Sequence, residues 1–499
     1  MDIDELSSNI CGLVNWSIDD CNELYETIMI NMEEFVHANP YAISRPSFED
    51  DIYNYTKHVF DEQFINNNVN IICTLEQQDE ITQMFNILYK MCSGIFYQIV
   101  IPRRSFKTSF VRHHIQNNIN NAQLKSKIEH IDNKPQPEQR TPEWYSYRHN
   151  LITASNAWKC FESEKTKNNV IYEKCKPIDA SKSQMTSRAL VWGQKYEHLT
   201  TMLYEHHNQT NVTDYGCIQH DTYKFLGASP DGIVTDEKAS VFGRMLEIKN
   251  VVSRIINGIP KKEYWIQMQL QMEVCNLNEC DFIETKFTEY DDEDIFKSDG
   301  GFAHEDNIDT AVRPNYKDYI GIRGAIVEFV VDGKSEYKFA PLFISSDEFE
   351  VLRDKWIDDM LKNDHVYLKT TYWKMEDISC ILVLRNKRWF KSTIHDISKV
   401  WDVILMERIS GYEHRAPNKR VTVDKTAKTV PDSFELTNYI NKVENPNEQC
   451  LLGADNNIAE SLDIKDDNNN NNNTSDVKIE TSIRTESFDD TYIHIDYVS

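Results

Sequence analysis

The sequence predicts an α/β chain: a central mixed β-sheet flanked by helices over residues 140–412, a mainly helical region over 1–134, and a disordered acidic tail over 418–499. Three observations predict it. Helical periodicity and short strand-like apolar runs alternate through the middle of the chain, the pattern of an α/β or α+β domain with a mixed sheet. Before it, apolar residues recur at intervals of three and four with no chemical motif among them. After it, periodicity disappears, and residues 468–473 are an unbroken Asn run flanked by acids, which buries too little apolar surface to fold alone.

In the first region Ile81, Met84, Phe85, Leu88 and Met91 mark one buried helical face. A basic cluster follows, with Arg103, Arg104, Lys107, Arg112, His113 and His114. Asn133-Lys134-Pro135-Gln136-Pro137 reads as a linker, because Pro and polar residues oppose both helix and sheet. In the middle region, residues 190–207 and 262–278 have helical spacing, and 217–220, 245–249, 281–287, 325–331 and 337–343 read as strands. The run Arg385, Lys387, Arg388 and Lys391 around Trp389 and Phe390 is either a single-strand stacking surface or a charged strand edge.

The formal net charge is −26, and residues 431–499 supply −11 of it, with 15 acidic against 4 basic residues. That balance argues against a protein that coats nucleic acid along its length, and leaves room for a local basic groove. Eleven Cys without a C-x-x-C pair give no zinc or iron–sulfur signature and fit a reducing compartment. Cys275 and Cys280, in one apolar helix-like stretch, read as core thiols. The acidic start lacks a signal sequence, and no apolar run approaches the ~18 residues of a membrane span. An intracellular, soluble protein is expected.

The chemistry concentrates in Gly227-Ala228-Ser229-Pro230-Asp231-Gly232-Ile233-Val234 and Met245-Leu246-Glu247-Ile248-Lys249. Pro230-Asp231-Gly232 is a turn signal, so Asp231 belongs at a bend between strands. Strand alternation puts Leu246 and Ile248 on one face and Glu247 and Lys249 on the other. Burying that second face is costly unless the carboxylates bind a divalent cation and the Lys meets a negative ligand. A hairpin with a solvated charged face is the plainer alternative. Three flanking segments bear on the choice. Trp192-Gly193-Gln194-Lys195-Tyr196-Glu197 opens a helix with Glu197 beside its apolar stripe; Tyr264, Gln267 and Gln271 share one helical face; Arg148 and Ser155 lie near a helix–turn junction suited to phosphate oxygens.

In order and wording, Arg148…Ile152-Thr153-Ala154-Ser155, Trp192-Gly193-x-x-Tyr196-Glu197, Ser229-Pro230-Asp231-Gly232, Leu246-Glu247-Ile248-Lys249 and Tyr264-x-x-Gln267-x-Gln269 closely resemble the bacteriophage lambda exonuclease and YqaJ viral-recombinase family of the PD-(D/E)XK nuclease superfamily. The resemblance covers about residues 140–290. It implies a PD-(D/E)XK restriction-endonuclease-like core and a metal-dependent exonuclease acting 5′-to-3′ on linear double-stranded DNA, in recombination, repair or genome processing. It implies Asp231, Glu247, the Ile248 carbonyl and Glu197 as the metal site, Lys249 acting on the water, Gln267 positioning the water or scissile phosphate, and Arg148 with Ser155 on the terminal 5′ phosphate. The implied cofactor is Mg²⁺, one or two ions, with Mn²⁺ as a substitute. Implied partners are duplex DNA ends, met by Arg103, Arg104, Lys107, Arg112, Lys261, Lys262 and the 385–391 run, and a single-strand annealing protein. A homo-oligomer stays open, since the ring trimer of the compact phage enzyme has no room assigned for residues 1–134 or the tail. With the Asn runs, the resemblance points to a large DNA virus, and to the host cytoplasm, a viral factory or the particle. The competing readings are a structure- or site-directed endonuclease and a catalytically silent DNA-binding or virion component.

Overall fold

The structure, a computed structural model, describes residues 18–63, 75–110, 117–139, 141–178, 187–302 and 315–417. The tail and Arg112, His113 and His114 lie outside the described residues.

Helices α1 (Ile18–Ala38), α2 (Phe48–Asp61), α3 (Leu75–Ile99) and α4 (Asn117–Asp132) fill the first region. The expected stripe is real, with Met84, Phe85 and Leu88 at 3% exposure or less. It faces inward: Leu24, Ile28, Met84 and Phe85 share one core with Trp265, Leu270 and Trp389 of the middle region. Polar contacts reinforce that junction. Phe106 and Ser109 donate backbone N–H groups to the Leu382 and Cys380 carbonyls, at 2.9 and 3.0 Å. Asn133–Pro137 is irregular, as its sequence requires, but it is strapped down: Gln136 accepts from Gly216 N at 3.0 Å and Lys134 donates to the Gln219 carbonyl at 3.1 Å.

Next come α5 (Pro142–His149), β1 (Ile152–Thr153), α6 (Ala154–Ala157), α7 (Glu164–Cys175) and α8 (Arg188–Asn208). Four short strands and β6 follow: β2 (Val212–Thr213), β3 (Ile218–Gln219), β4 (Leu226–Ala228), β5 (Gly232–Val234) and β6 (Met245–Asn250). The remainder is α9 (Lys262–Cys275), β7 (Glu279–Glu289), α10 (Glu293–Ser298), β8 (Arg323–Val331), β9 (Lys334–Phe339), α11 (Ser346–Leu361), β10 (Val366–Leu384) and α12 (Lys387–Ser410).

The main sheet runs β2-β5-β6-β7-β10-β8-β9, and β1-β4-β3 form a small second sheet. In the main sheet β6 and β7 are parallel while the other neighbours are antiparallel. The sheet is therefore mixed, as expected. A parallel pair needs a crossover, and α9 supplies it. Leu246 and Ile248 pack with Tyr196, Leu199 and Leu203 of α8 on one face; Met245 and Phe282 face the core that holds α9.

Three expectations are corrected, and one strand, β10, was not foreseen. β10 is 19 residues long and interior to the sheet, yet its alternation is broken by register shifts between Tyr367 and Lys369 and between Met375 and Asp377; each extra residue swaps which side chains face the core. The 337–343 strand ends at Phe339. Cys280 belongs to β7, separated from α9 by Asn276 in the left-handed region at φ 53°, although both thiols are buried as expected. Finally, 385–391 is no strand edge. Asn386 caps α12, and Trp389 and Phe390 point into the core.

Candidate active site

The described strand β5 pairs with β6 through only two residue pairs, Gly232 with Leu246 and Ile233 with Met245. Just beyond that ladder, the Asp231 Oδ2 takes the place of a strand and accepts the Ile248 N–H at 2.6 Å. A buried backbone donor must find an acceptor, so the bend that leads into β5 presses Asp231 against the centre of β6. Gly232 makes this approach possible: a Cβ there would meet Val212 Cγ1 at 2.2 Å.

One residue before Ile248, Glu247 is fully buried. Its Oε1 accepts from Lys249 Nζ. Its Oε2 accepts from two α9 amides, Gln267 Nε2 at 2.8 Å and Gln271 Nε2 at 2.7 Å. The i, i+4 spacing on a helix aims both amides at one point. Gln271 also reaches the Ser229 carbonyl at 3.4 Å, so it links the turn carrying Asp231 to Glu247. Lys249 Nζ stands 5.1 Å from the Tyr264 ring centroid.

Burial, the Glu247 carboxylate and Glu197 push the Asp231 carboxyl well above the ordinary aspartate range, against the pull of Lys249 and the Ile248 N–H. Burial works to lower the Lys249 ammonium, but Glu247 and Asp231 outweigh it and raise its pKa. Glu197, half-buried on α8, is close enough to act on Asp231 electrostatically. Among the described residues, no three His, Cys, Asp or Glu side chains are drawn together into a metal-holding group. Asp231 and Glu247 are instead bonded to the Ile248 N–H, Lys249 and the two Gln amides. Even so, the donor set suits a hard divalent cation. Two buried carboxylates, Asp231 and Glu247, act on one ammonium, and Mg²⁺ commonly takes one or two carboxylates with the remaining positions on water and phosphate oxygens.

A second cluster adjoins the first. Helix α5 begins at Thr141, whose side chain accepts from Trp144 N, with Pro142 at the first position. At its other end Arg148 lies over the Trp144 ring at 4.2 Å. Its Nη1 donates to Ser229 Oγ at 3.2 Å and its Nη2 to Ser155 Oγ at 3.3 Å. Arg148 and Ser155, named from sequence, thus meet, and Ser229 joins them to the Asp231 turn. Burial lowers the Arg148 pKa. Among the described residues it has no carboxylate partner, leaving a desolvated guanidinium and hydroxyls for an oxyanion.

Sequence reasoning assigned no role to Gln271 or Ser229. The signal for Gln271 was its place on the Gln267 face. Ser229 carried none beyond its position two residues before Asp231. Of the basic residues expected at DNA, one serves the fold instead and two others stand in partly exposed ion pairs. Arg104 is 3% exposed and donates to the Ser44 and Pro260 carbonyls; Lys262 pairs with Glu162 at 2.5 Å and Arg103 with Glu49 at 3.8 Å.

The chain is similar to known proteins over this region. It is 28% identical over 369 residues to the uncharacterized protein R354 of Acanthamoeba polyphaga mimivirus, covering 68% of this chain and 63% of that relative's length. Among solved structures, LHK-Exo in complex with dAMP matches at 19% identity with a TM-score of 0.30, over 54% of this chain and 94% of that one. The alkaline exonuclease LHK-Exo from Laribacter hongkongensis matches at 20% identity and 0.29, over 55% and 95%. Residues 143–278, which contain every side chain of both clusters, match the YqaJ-like viral recombinase domain.

Proposed function

We propose that the chain is a divalent-metal-dependent deoxyribonuclease that degrades linear duplex DNA from its 5′ ends. The observation that carries this reading is the junction at Ser229: the Arg148–Ser155 cluster and the Asp231–Glu247–Lys249 cluster are two residues apart on one turn. Two residues span at most ~7 Å of chain. A terminal phosphate held by Arg148 and Ser155 therefore places the next phosphodiester of the same strand beside Asp231 and Glu247, the arrangement of an end-directed enzyme rather than an internal cutter.

Asp231, Glu247 and the Ile248 carbonyl would hold the cation, with Glu197 adding negative charge from α8. When bound, the cation supplies Lewis-acid stabilisation of the charge that grows on the phosphate. Beside two carboxylates Lys249 stays an ammonium, so its part is to donate a hydrogen bond that orients the water or the phosphate, rather than to accept a proton. Gln267 keeps Glu247 aimed while its remaining amide oxygen can accept a hydrogen bond from the water.

Duplexes carrying a 5′-phosphate or a 5′-hydroxyl, labelled at one end and incubated with Mg²⁺, test the reading. Release of mononucleotides from the 5′ end is expected, faster with the phosphate. It should fall by about 10²–10³-fold in Lys249→Ala with DNA binding retained. Internal fragments of fixed length would overturn the end-directed mechanism, and intact DNA with wild-type protein would overturn the enzyme. Chelation with EDTA should abolish release and Mg²⁺ restore it.

A further inference from the structure

Helix α9 presents Gln267 to the carboxylates at its middle and reaches a different feature at its C-terminal end. There Glu273 and Asn276, the turn after β3, and the start of α12 enclose a cavity of about 420 Å³. From Gln267 to Asn276 is nine residues of helix and cap, about 14 Å at 1.5 Å per residue. The cavity is thus remote from the bond that would be cut, but fixed to it by one rigid element.

Its wall is cationic beyond what folding uses. Glu273 is matched by Arg385, whose Nε donates to it at 2.8 Å. Asp221 is matched by Lys134 at 2.9 Å and by His130 at 3.0 Å. With those acids engaged, Lys387 and Lys391 of α12 line the cavity, and among the described residues neither is paired with a carboxylate. Lys127 of α4 stands nearby, half-buried and equally without an acidic partner; burial, then Arg385 and Lys387, lower its pKa. Like charges held together cost free energy. The crowding runs against a chain whose acids outnumber its bases 80 to 54, and an anion in the cavity relieves it. The inner side is aromatic: Phe390 stacks on His220 with centroids 5.9 Å apart at 13°, and meets Tyr223 edge-on at 5.6 Å. Cations at a rim beside a flat ring wall suit a nucleotide unit better than a bare anion.

We infer that this cavity is a second DNA contact, in which Lys387 and Lys391 hold a backbone phosphate of the substrate about 14 Å along α9 from the catalytic carboxylates. The inference rests on the nuclease reading for the identity of the strand, not for the binding itself. A contact of this kind holds the DNA without touching the reacting atoms.

The test is the double variant Lys387→Glu/Lys391→Glu in the full chain, with Lys387→Gln/Lys391→Gln beside it and thermal melting to show that both fold; both side chains are exposed. Binding of a fluorescent duplex is measured in EDTA across a salt series. Loss of this phosphate contact should weaken binding at least tenfold and flatten the log K against log salt slope by about 0.9. With Mg²⁺, KM for long duplexes should rise while turnover of an aryl phosphodiester of thymidine is unchanged. Wild-type affinity and slope in the reversed variant overturn the inference. So does lost binding of inorganic phosphate or free dAMP with DNA binding intact. If wild-type protein binds DNA through these lysines but cleaves nothing, the contact stands and the nuclease reading fails.

Discussion

At the residue scale the site is a problem of surplus negative charge in a dry place. Asp231 and Glu247 are buried together, and the fold satisfies them with an amide N–H, an ammonium and two carboxamides. Gln271 is the least replaceable of these donors, because it alone also touches the Ser229 carbonyl. Replacing it with Leu should lower activity by about 10–100-fold and raise the Mg²⁺ concentration needed for half-activation, as loss of a group that orients a metal ligand does. A Mg²⁺ titration of wild type and Gln271→Leu, alongside melting curves, checks this; an unchanged activation midpoint overturns it. Asp231 makes a pH prediction. Its carboxyl is raised in the folded, metal-free protein, so the folded state binds the proton more tightly than the unfolded one. The resulting stability is fully present below the unfolded aspartate pKa and is lost as pH rises through the elevated folded value. Urea unfolding in EDTA should show that decline in wild type and a flatter profile in Asp231→Asn; parallel profiles would contradict it.

At the scale of elements, the short strand β5 decides whether the two carboxylates meet. Its two-pair ladder with β6 leaves Asp231 beside Ile248, and the neighbouring strand β2 lies so close that Gly232 has no room for a methyl group. Val212 is β-branched and stiff at χ1, so it yields poorly. Gly232→Ala should therefore displace β5, cost about 1–3 kcal/mol and remove most activity. Adding Val212→Ala should restore part of both. Recovery absent from the double variant, measured by denaturation and by nucleotide release, would show that Gly232 acts through something other than this contact.

At the scale of the molecule, the first helical region and the sheet-bearing region are continuous in their packing. Residues up to Pro417 form one compact unit, with α1 and α3 in the same core as α9 and α12. Polar groups cross the junction as well: Trp265 Nε1 donates to the Arg104 carbonyl at 2.8 Å, and the buried Arg244 donates to Phe110 O at 2.9 Å. Removing residues 1–134 would expose that core and take away the acceptor of the Trp265 indole N–H, at about 1–3 kcal/mol. The shortened chain is expected to be insoluble or aggregated. A monodisperse, cooperatively melting product on size exclusion and calorimetry would show instead that the helical region is a detachable module.

The sequence by itself determined the local chemistry: the turn at Pro230-Asp231-Gly232, the two-faced strand 245–249, the helices around Glu197 and Gln267, and the order of motifs that carries the family resemblance. Those features depend on neighbours within a few residues, where periodicity and turn propensity act. Tertiary structure decided what depends on separations of tens to hundreds of residues. It put β10 in the interior of the sheet despite two bulges that scramble its alternation, turned Trp389 and Phe390 inward while leaving Lys387 and Lys391 at a cavity, and buried Arg104 under carbonyls. It also brought Gln271 and Ser229 to the carboxylates. A side chain's type fixes what it can bond to, but only the path of the whole chain fixes what stands within reach of it.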